Sequence, residues 1–114
     1  MVGCQAAAPA DTGKAVGLSP EAATGQQLFV TKGCVACHRA PGVPEAVGTV
    51  GPNLRGVGNA SAHPKIADTL DNTPDNLKRW LMNPAGVKPG TSMPNLGLAD
   101  AEATSLSAFL ETLK

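Results

Sequence analysis

Cys34, Cys37 and His38 place two thiols and an imidazole within five residues, Cys-Val-Ala-Cys-His. Three chemistries use such a set. A redox-active dithiol of the thioredoxin type needs a strand ahead of the motif and an α/β setting, and neither pattern is present around Cys34. A zinc site needs four ligands, and beyond the motif only Cys4, in an N-terminal stretch without helical periodicity, and His63, in a loop, remain as thiol or imidazole. The third chemistry fits best. On one turn of helix the two sulfurs reach the vinyl groups along one edge of a porphyrin, while the adjacent imidazole is carried beneath the iron. Cys34 and Cys37 are therefore expected to carry one covalent haem c, with His38 as an axial ligand.

The second axial position must be filled from elsewhere in the chain. Met93 is the leading choice: Pro89 and Pro94 stiffen its segment, KPGTSMPNLG, into an extended loop that holds a thioether still. A sulfur opposite histidine favours ferrous iron and raises the reduction potential. Met82 sits in a helix beside the Leu77, Trp80 and Leu81 stripe, where it packs or lies at the surface, and Met1 at the N-terminus; His63 would give a lower potential, and an open sixth site is the remaining alternative.

His38 must donate its other ring N–H to an acceptor so that its orientation stays fixed. A rigid carbonyl in Gly51-Pro52-Asn53-Leu54 suits that task, against the simpler reading of Pro52 as a turn residue. Trp80 carries an indole donor that suits a haem propionate, or else is the one large core residue. Lys32, Arg39 and Lys88 flank the candidate ligands and form either a ring that steers an acidic partner or an ordinary solvated face.

The composition agrees with a large bound group. Among 114 residues only Phe29, Phe109 and Trp80 are aromatic, against thirteen glycines and ten prolines. Such a chain has too few large side chains for a self-sufficient core, so a flat cofactor is expected to complete it. Formal charge is zero, without the basic stripe of a nucleic-acid binder, and no run of about 18 apolar residues spans a membrane.

The elements that must position these residues are short. Residues 1–18 read as a tail or tether, and the folded domain as 19–114. Ser19-Pro20-Glu21 supplies a cap, a first-turn proline and an acid for a helix that stops at Gly33. Gly25 in its interior costs about 1 kcal/mol relative to alanine, which a close crossing with another helix would offset. Residues 39–64 predict a wrapped loop, with a short helix possible over 64–70. Thr73-Pro74-Asp75 opens a second helix, with Leu77, Trp80 and Leu81 on one face and Asn83 at its end. A rigid loop, PAGVKPGTSMPNLG, precedes a last helix over 100–113 that carries Leu106, Phe109, Leu110 and Leu113 on one stripe. No strand pattern is evident.

With CVACH, GPNL, TPDNLKRWL (73–81) and VKPGTSMPNLGL (87–98) in this order, the chain over residues 19–114 resembles the class I c-type cytochromes. It is similar to bacterial monohaem cytochromes c and to the cytochrome c domain of haem-copper oxidase subunit II. The resemblance implies an all-α fold of three to five short helices and loops around one haem. It implies thioether attachment at Cys34 and Cys37, axial ligation by His38 and Met93, the Pro52 carbonyl as acceptor for His38, and Trp80 as a propionate partner. Gly25, Phe29 and Phe109 would form the crossing of the terminal helices. Two departures stand out. The tyrosines of many relatives are absent, leaving Thr91 as a hydrogen-bonding residue on the methionine side, and Ala99 replaces a helix-capping serine.

The function implied is single-electron transfer in a respiratory or photosynthetic chain, with delivery to a terminal oxidase. The partners would be membrane redox complexes docked transiently, and the carrier a monomer without substrate or acid–base chemistry. The competing classes are a peroxidase-like haem enzyme and a redox or gas sensor, both with an open sixth site. Covalent haem places the protein in the periplasm or on the outer face of a bacterial membrane. Met1-Val2-Gly3-Cys4 looks like a lipoprotein cleavage box with Cys4 as the acylated residue; its alternative is a linker trimmed from a larger membrane subunit.

Overall fold

The structure, a computed structural model, describes residues 18–114. The expectations for the N-terminal tail and for Cys4 fall on residues 1–17 and lie outside the described residues. Four α-helices carry the fold: α1 (Pro20–Thr31), α2 (Pro74–Met82), α3 (Pro84–Val87) and α4 (Asp100–Leu110). A 3-10 turn (Cys34–Ala36) follows α1, and two antiparallel two-residue strands, β1 (Lys65–Ile66) and β2 (Leu70–Asp71), precede α2. The architecture is the mostly helical one implied by the sequence.

Each helix starts where its chemistry directs. The Ser19 hydroxyl accepts from the Ala22 N–H at 3.1 Å and the Thr73 hydroxyl from Asn76 N–H at 3.1 Å, each followed by proline at the first helical position. These bonds satisfy donors that a helix N-terminus otherwise leaves orphaned. Ala99 has no side chain to cap with, yet α4 still begins cleanly, because Glu102 Oε1 reaches back to accept from the Ala99 N–H at 2.9 Å. Half of a capping box suffices.

The centre of the fold is the crossing of α1 and α4. A Cβ on Gly25 would land on the Ser105 carbonyl oxygen and 2.8 Å from Phe109 Cβ, so the two backbones meet where one residue lacks a side chain. One turn on, Phe29 meets Phe109 edge-to-face, with ring centroids 5.8 Å apart at 61°. Around this pair Leu106 and Leu110 of α4 and Leu77 and Leu81 of α2 are buried. Lys32 pairs with Glu102 at 3.2 Å and Lys78 with Asp100 at 2.8 Å, which ties the start of α4 to both α1 and α2.

Three local expectations are corrected. Residues 64–70 form no helix: Ala67 (φ 52°) and Asp68 (φ 57°) both adopt the left-handed region, and the Thr69 N–H donates to Ile66 carbonyl at 2.9 Å. Two such residues close a tight hairpin turn and are incompatible with a right-handed helix. The rigid loop after Asn83 begins instead with α3, because Asn83 ends α2 and its Oδ1 then caps α3, accepting from Gly86 N–H at 3.1 Å. The last helix stops at Leu110 rather than Leu113, although Leu113 remains buried. Among the described residues no helix is long and apolar enough to cross a membrane.

Candidate functional site

Gly33, at φ 82°, stops α1 and swings the chain into the 3-10 turn that carries the motif. The His38 N–H donates to the Cys34 carbonyl at 3.0 Å, so the motif is a closed turn rather than a stretch of loop. Cys34 and Cys37 are both free thiols. Burial pushes the Cys34 thiol up to about 11, opposed by a backbone hydrogen bond and reinforced by the neighbouring Cys37. A thiol held neutral in this way is slow to react unaided, and a bare metal ion would need further ligands beside it. Among the described residues no three His, Cys, Asp or Glu side chains are arranged to hold such an ion.

The imidazole of His38 is fixed from outside by the next segment. Its Nδ1 lies 2.7 Å from the Pro52 carbonyl oxygen. A carbonyl can only accept, so Nδ1 carries the proton and the lone pair is left on Nε2. The same segment is tied to the motif by hydrogen bonds from Gly51 N–H to Cys37 carbonyl (2.7 Å) and from Leu54 N–H to Arg39 carbonyl (2.8 Å).

Cys34, Cys37, His38 and Pro52 face one cavity of about 500 Å³, and Trp80, Thr91 and Met93 line it too. Residues nearly sixty positions apart thus meet around a single space. The rest of the wall is mostly apolar, with Phe29, Leu77, Leu81, Leu106 and Leu110 from the helices and Leu54, Val57 and Ile66 from the wrapped loop and hairpin. The Thr91 hydroxyl accepts from the Met93 N–H at 3.3 Å, which stiffens the methionine loop. Met82 does not line the cavity; His63 and Lys88 do, as does Lys65, whose ammonium is paired with Asp71 across the hairpin. Lys32 is instead engaged with Glu102 between helices.

The volume lies in the ~300–1,000 Å³ range of small-molecule sites. A mostly apolar chamber that brings together two thiols, an imidazole with a free Nε2 and a thioether, with His63, Lys65, Asp68, Lys88, Thr91 and Ser92 also on its wall, fits a flat metal complex. The residues that sequence reasoning missed are Leu54, Val57 and Ile66. Their signal was present in retrospect: isolated large apolar residues in a Gly/Pro-rich stretch need something apolar to face.

Comparison with known proteins agrees. The family model described as cytochrome c matches residues 22–114. The cytochrome c oxidase subunit 2 of Bacillus subtilis (strain 168) is 32% identical over 105 residues, 89% of this chain and 29% of that subunit. The subunit of the same name from Bacillus sp. (strain PS3) is also 32% identical, over 28% of its length. The cytochrome c-type cyt cy of Rhodobacter capsulatus is 34% identical over 106 residues, 84% of this chain and 51% of that protein. This chain therefore spans under a third of the oxidase subunits and about half of the cyt cy protein. No solved structure matches. With one cavity collecting the motif and the methionine loop, and the family match running from the first turn of α1 to the last residue, the chain belongs to the cytochrome c family of haem-binding electron carriers.

Proposed function

We propose that this chain is a single-electron carrier holding one haem c, attached covalently through Cys34 and Cys37 and ligated by His38 and Met93. Bound there, the group supplies a one-electron Fe(III)/Fe(II) couple. The observation that carries the reading is the shared cavity, which faces the closed Cys34–His38 turn from one segment and Met93 from another. The chain's own residues supply three things. Pro52 holds the proton on His38 Nδ1 and keeps Nε2 free to ligate. Thr91 steadies the backbone at Met93, and Trp80 at the cavity wall suits a propionate. The buried leucines and Phe29 exclude water, so little reorganises when charge moves.

In this reading the carrier domain is 19–114, it is monomeric, it works on the extracytoplasmic side of the membrane, and it turns over no substrate. Delivery of electrons to a membrane terminal oxidase is our reading of the likeness to relatives named cytochrome c oxidase subunit 2. The test is spectroscopic. Holoprotein should carry one covalent haem by mass, and its ferric form the weak far-red charge-transfer band of sulfur ligation. Met93→Ala should abolish the band and lower the potential while leaving the covalent mass. A high-spin wild-type ferric spectrum would favour a peroxidase-like enzyme or sensor instead.

A further inference from the structure

The segment from Gly48 to Leu54 lies as a strap across the motif, and its contacts are made by backbone. Gly48 N–H donates to the Val35 carbonyl at 3.2 Å, Gly51 N–H to Cys37 at 2.7 Å, Leu54 N–H to Arg39 at 2.8 Å, and the Pro52 carbonyl faces His38 Nδ1 at 2.7 Å. Two positions come closer than any side chain allows. A Cβ on Gly48 would land on the Ala36 carbonyl oxygen and the Cys37 amide nitrogen, and one on Gly51 on Cε1 of His38, with Nδ1 at 2.7 Å and Nε2 at 2.9 Å. Neither contact involves a flexible chain end: one partner is backbone and the other a ring held at Nδ1 by the Pro52 carbonyl. Between them Thr49 and Val50 are exposed.

We propose that Gly51 is a positioning residue for His38, its bare Cα serving as a flat stop that sets the tilt of the imidazole and keeps Pro52 within hydrogen-bond reach, while Gly48 lets the strap seat on the motif turn. The proposal rests on the assignment of His38 as an axial ligand and deepens it. An imidazole that donates a strong hydrogen bond is a more basic ligand and favours the ferric state. Tilting the ring away from Pro52 weakens that bond and shifts the potential upward.

The experiment uses haem-loaded full chain bearing Gly51→Ala, Gly48→Ala or Thr49→Ala. Gly51→Ala should raise the potential and move the paramagnetically shifted NMR signals of the His38 ring protons, with the far-red methionine band retained. Gly48→Ala should lower the thermal midpoint and leave the His38 signals in place, and Thr49→Ala should change neither. Wild-type potential and ring signals in Gly51→Ala would overturn the proposal. Should Gly51→Ala yield no holoprotein, hydrogen exchange in the wild type decides: strap opening should expose His38 Nδ1–H and Gly51 N–H together, so their protection factors, each taken relative to the group's own intrinsic exchange rate, should match. A Nδ1 proton protected at least tenfold less than the Gly51 amide would overturn it. Absence of covalent haem from wild type and Thr49→Ala alike would instead strike the parent assignment.

Discussion

Glu102 illustrates how much one side chain does here. Its carboxylate accepts from the Ala99 N–H at the start of α4 and pairs with Lys32 of α1, and both contacts hold its carboxyl below the ordinary glutamate value, the backbone hydrogen bond being the larger cause. A carboxyl whose folded-state value is depressed stabilises the fold above its unfolded value and loses that contribution as pH falls through the folded one. Glu102→Gln should therefore lower the thermal midpoint at neutral pH. The gap from wild type should narrow as pH drops below about 4.5, the ordinary value. Thermal melts of both proteins across that range check the sign; a gap that widened in acid would contradict it. The residue scale is also where the sequence was most legible. CVACH fixes which two thiols and which imidazole share one turn, and Ser19 and Thr73 each advertise a cap through the proline that follows. Glu102 carried no such signal, because its partner is a backbone N–H that only the start of α4 brings within reach.

Among the elements, the α1–α4 crossing is the one on which the cavity depends, since Phe29, Leu106 and Leu110 line it from these two helices. Gly25→Ala gains about 1 kcal/mol of helix propensity. The added carbon, however, falls on the Ser105 carbonyl, and backbone cannot step aside without moving α4. Overpacking of this kind costs about 1–3 kcal/mol, more where rigid groups collide. The net expectation is destabilisation by about 1–2 kcal/mol, read by chemical denaturation of the holoprotein; an unchanged or raised midpoint would show that the helices have room to part. Gly25 was readable from sequence as a helix-interior glycine in need of a reason. The hairpin was not, since Ala67 and Asp68 in the left-handed region make a turn that neither residue announces as an Asn-Gly pair would. Nor was α3, whose four residues are too few to show a period.

For the whole molecule the cavity is the dominant feature. At about 24 cal/mol per Å³, an empty space of some 500 Å³ would cost roughly 12 kcal/mol, an upper figure because water enters its mouth. That is comparable with the entire stability of a typical domain, about 5–15 kcal/mol. The chain lacking covalent attachment, Cys34→Ser/Cys37→Ser without haem, should accordingly be largely unfolded, without a cooperative melt by far-UV circular dichroism. A native-like transition in that protein would mean that the helices bury enough on their own. The same comparison explains the shortage of aromatic residues: Phe29, Phe109 and Trp80 frame a core whose centre the polypeptide does not fill.

The sequence by itself determined the chemistry and the local punctuation. Residue types and spacings within one turn decide which thiols and which imidazole act together, and caps, prolines and glycines act over a few residues at most. Only the tertiary structure decided what those groups face. That Met93 shares a cavity with His38, that the Pro52 carbonyl accepts from Nδ1, and that Gly51 lies flat against the ring are relations between segments 13 to 55 residues apart. Their distances depend on how α1 and α4 cross and how the intervening loop wraps, which no local pattern encodes.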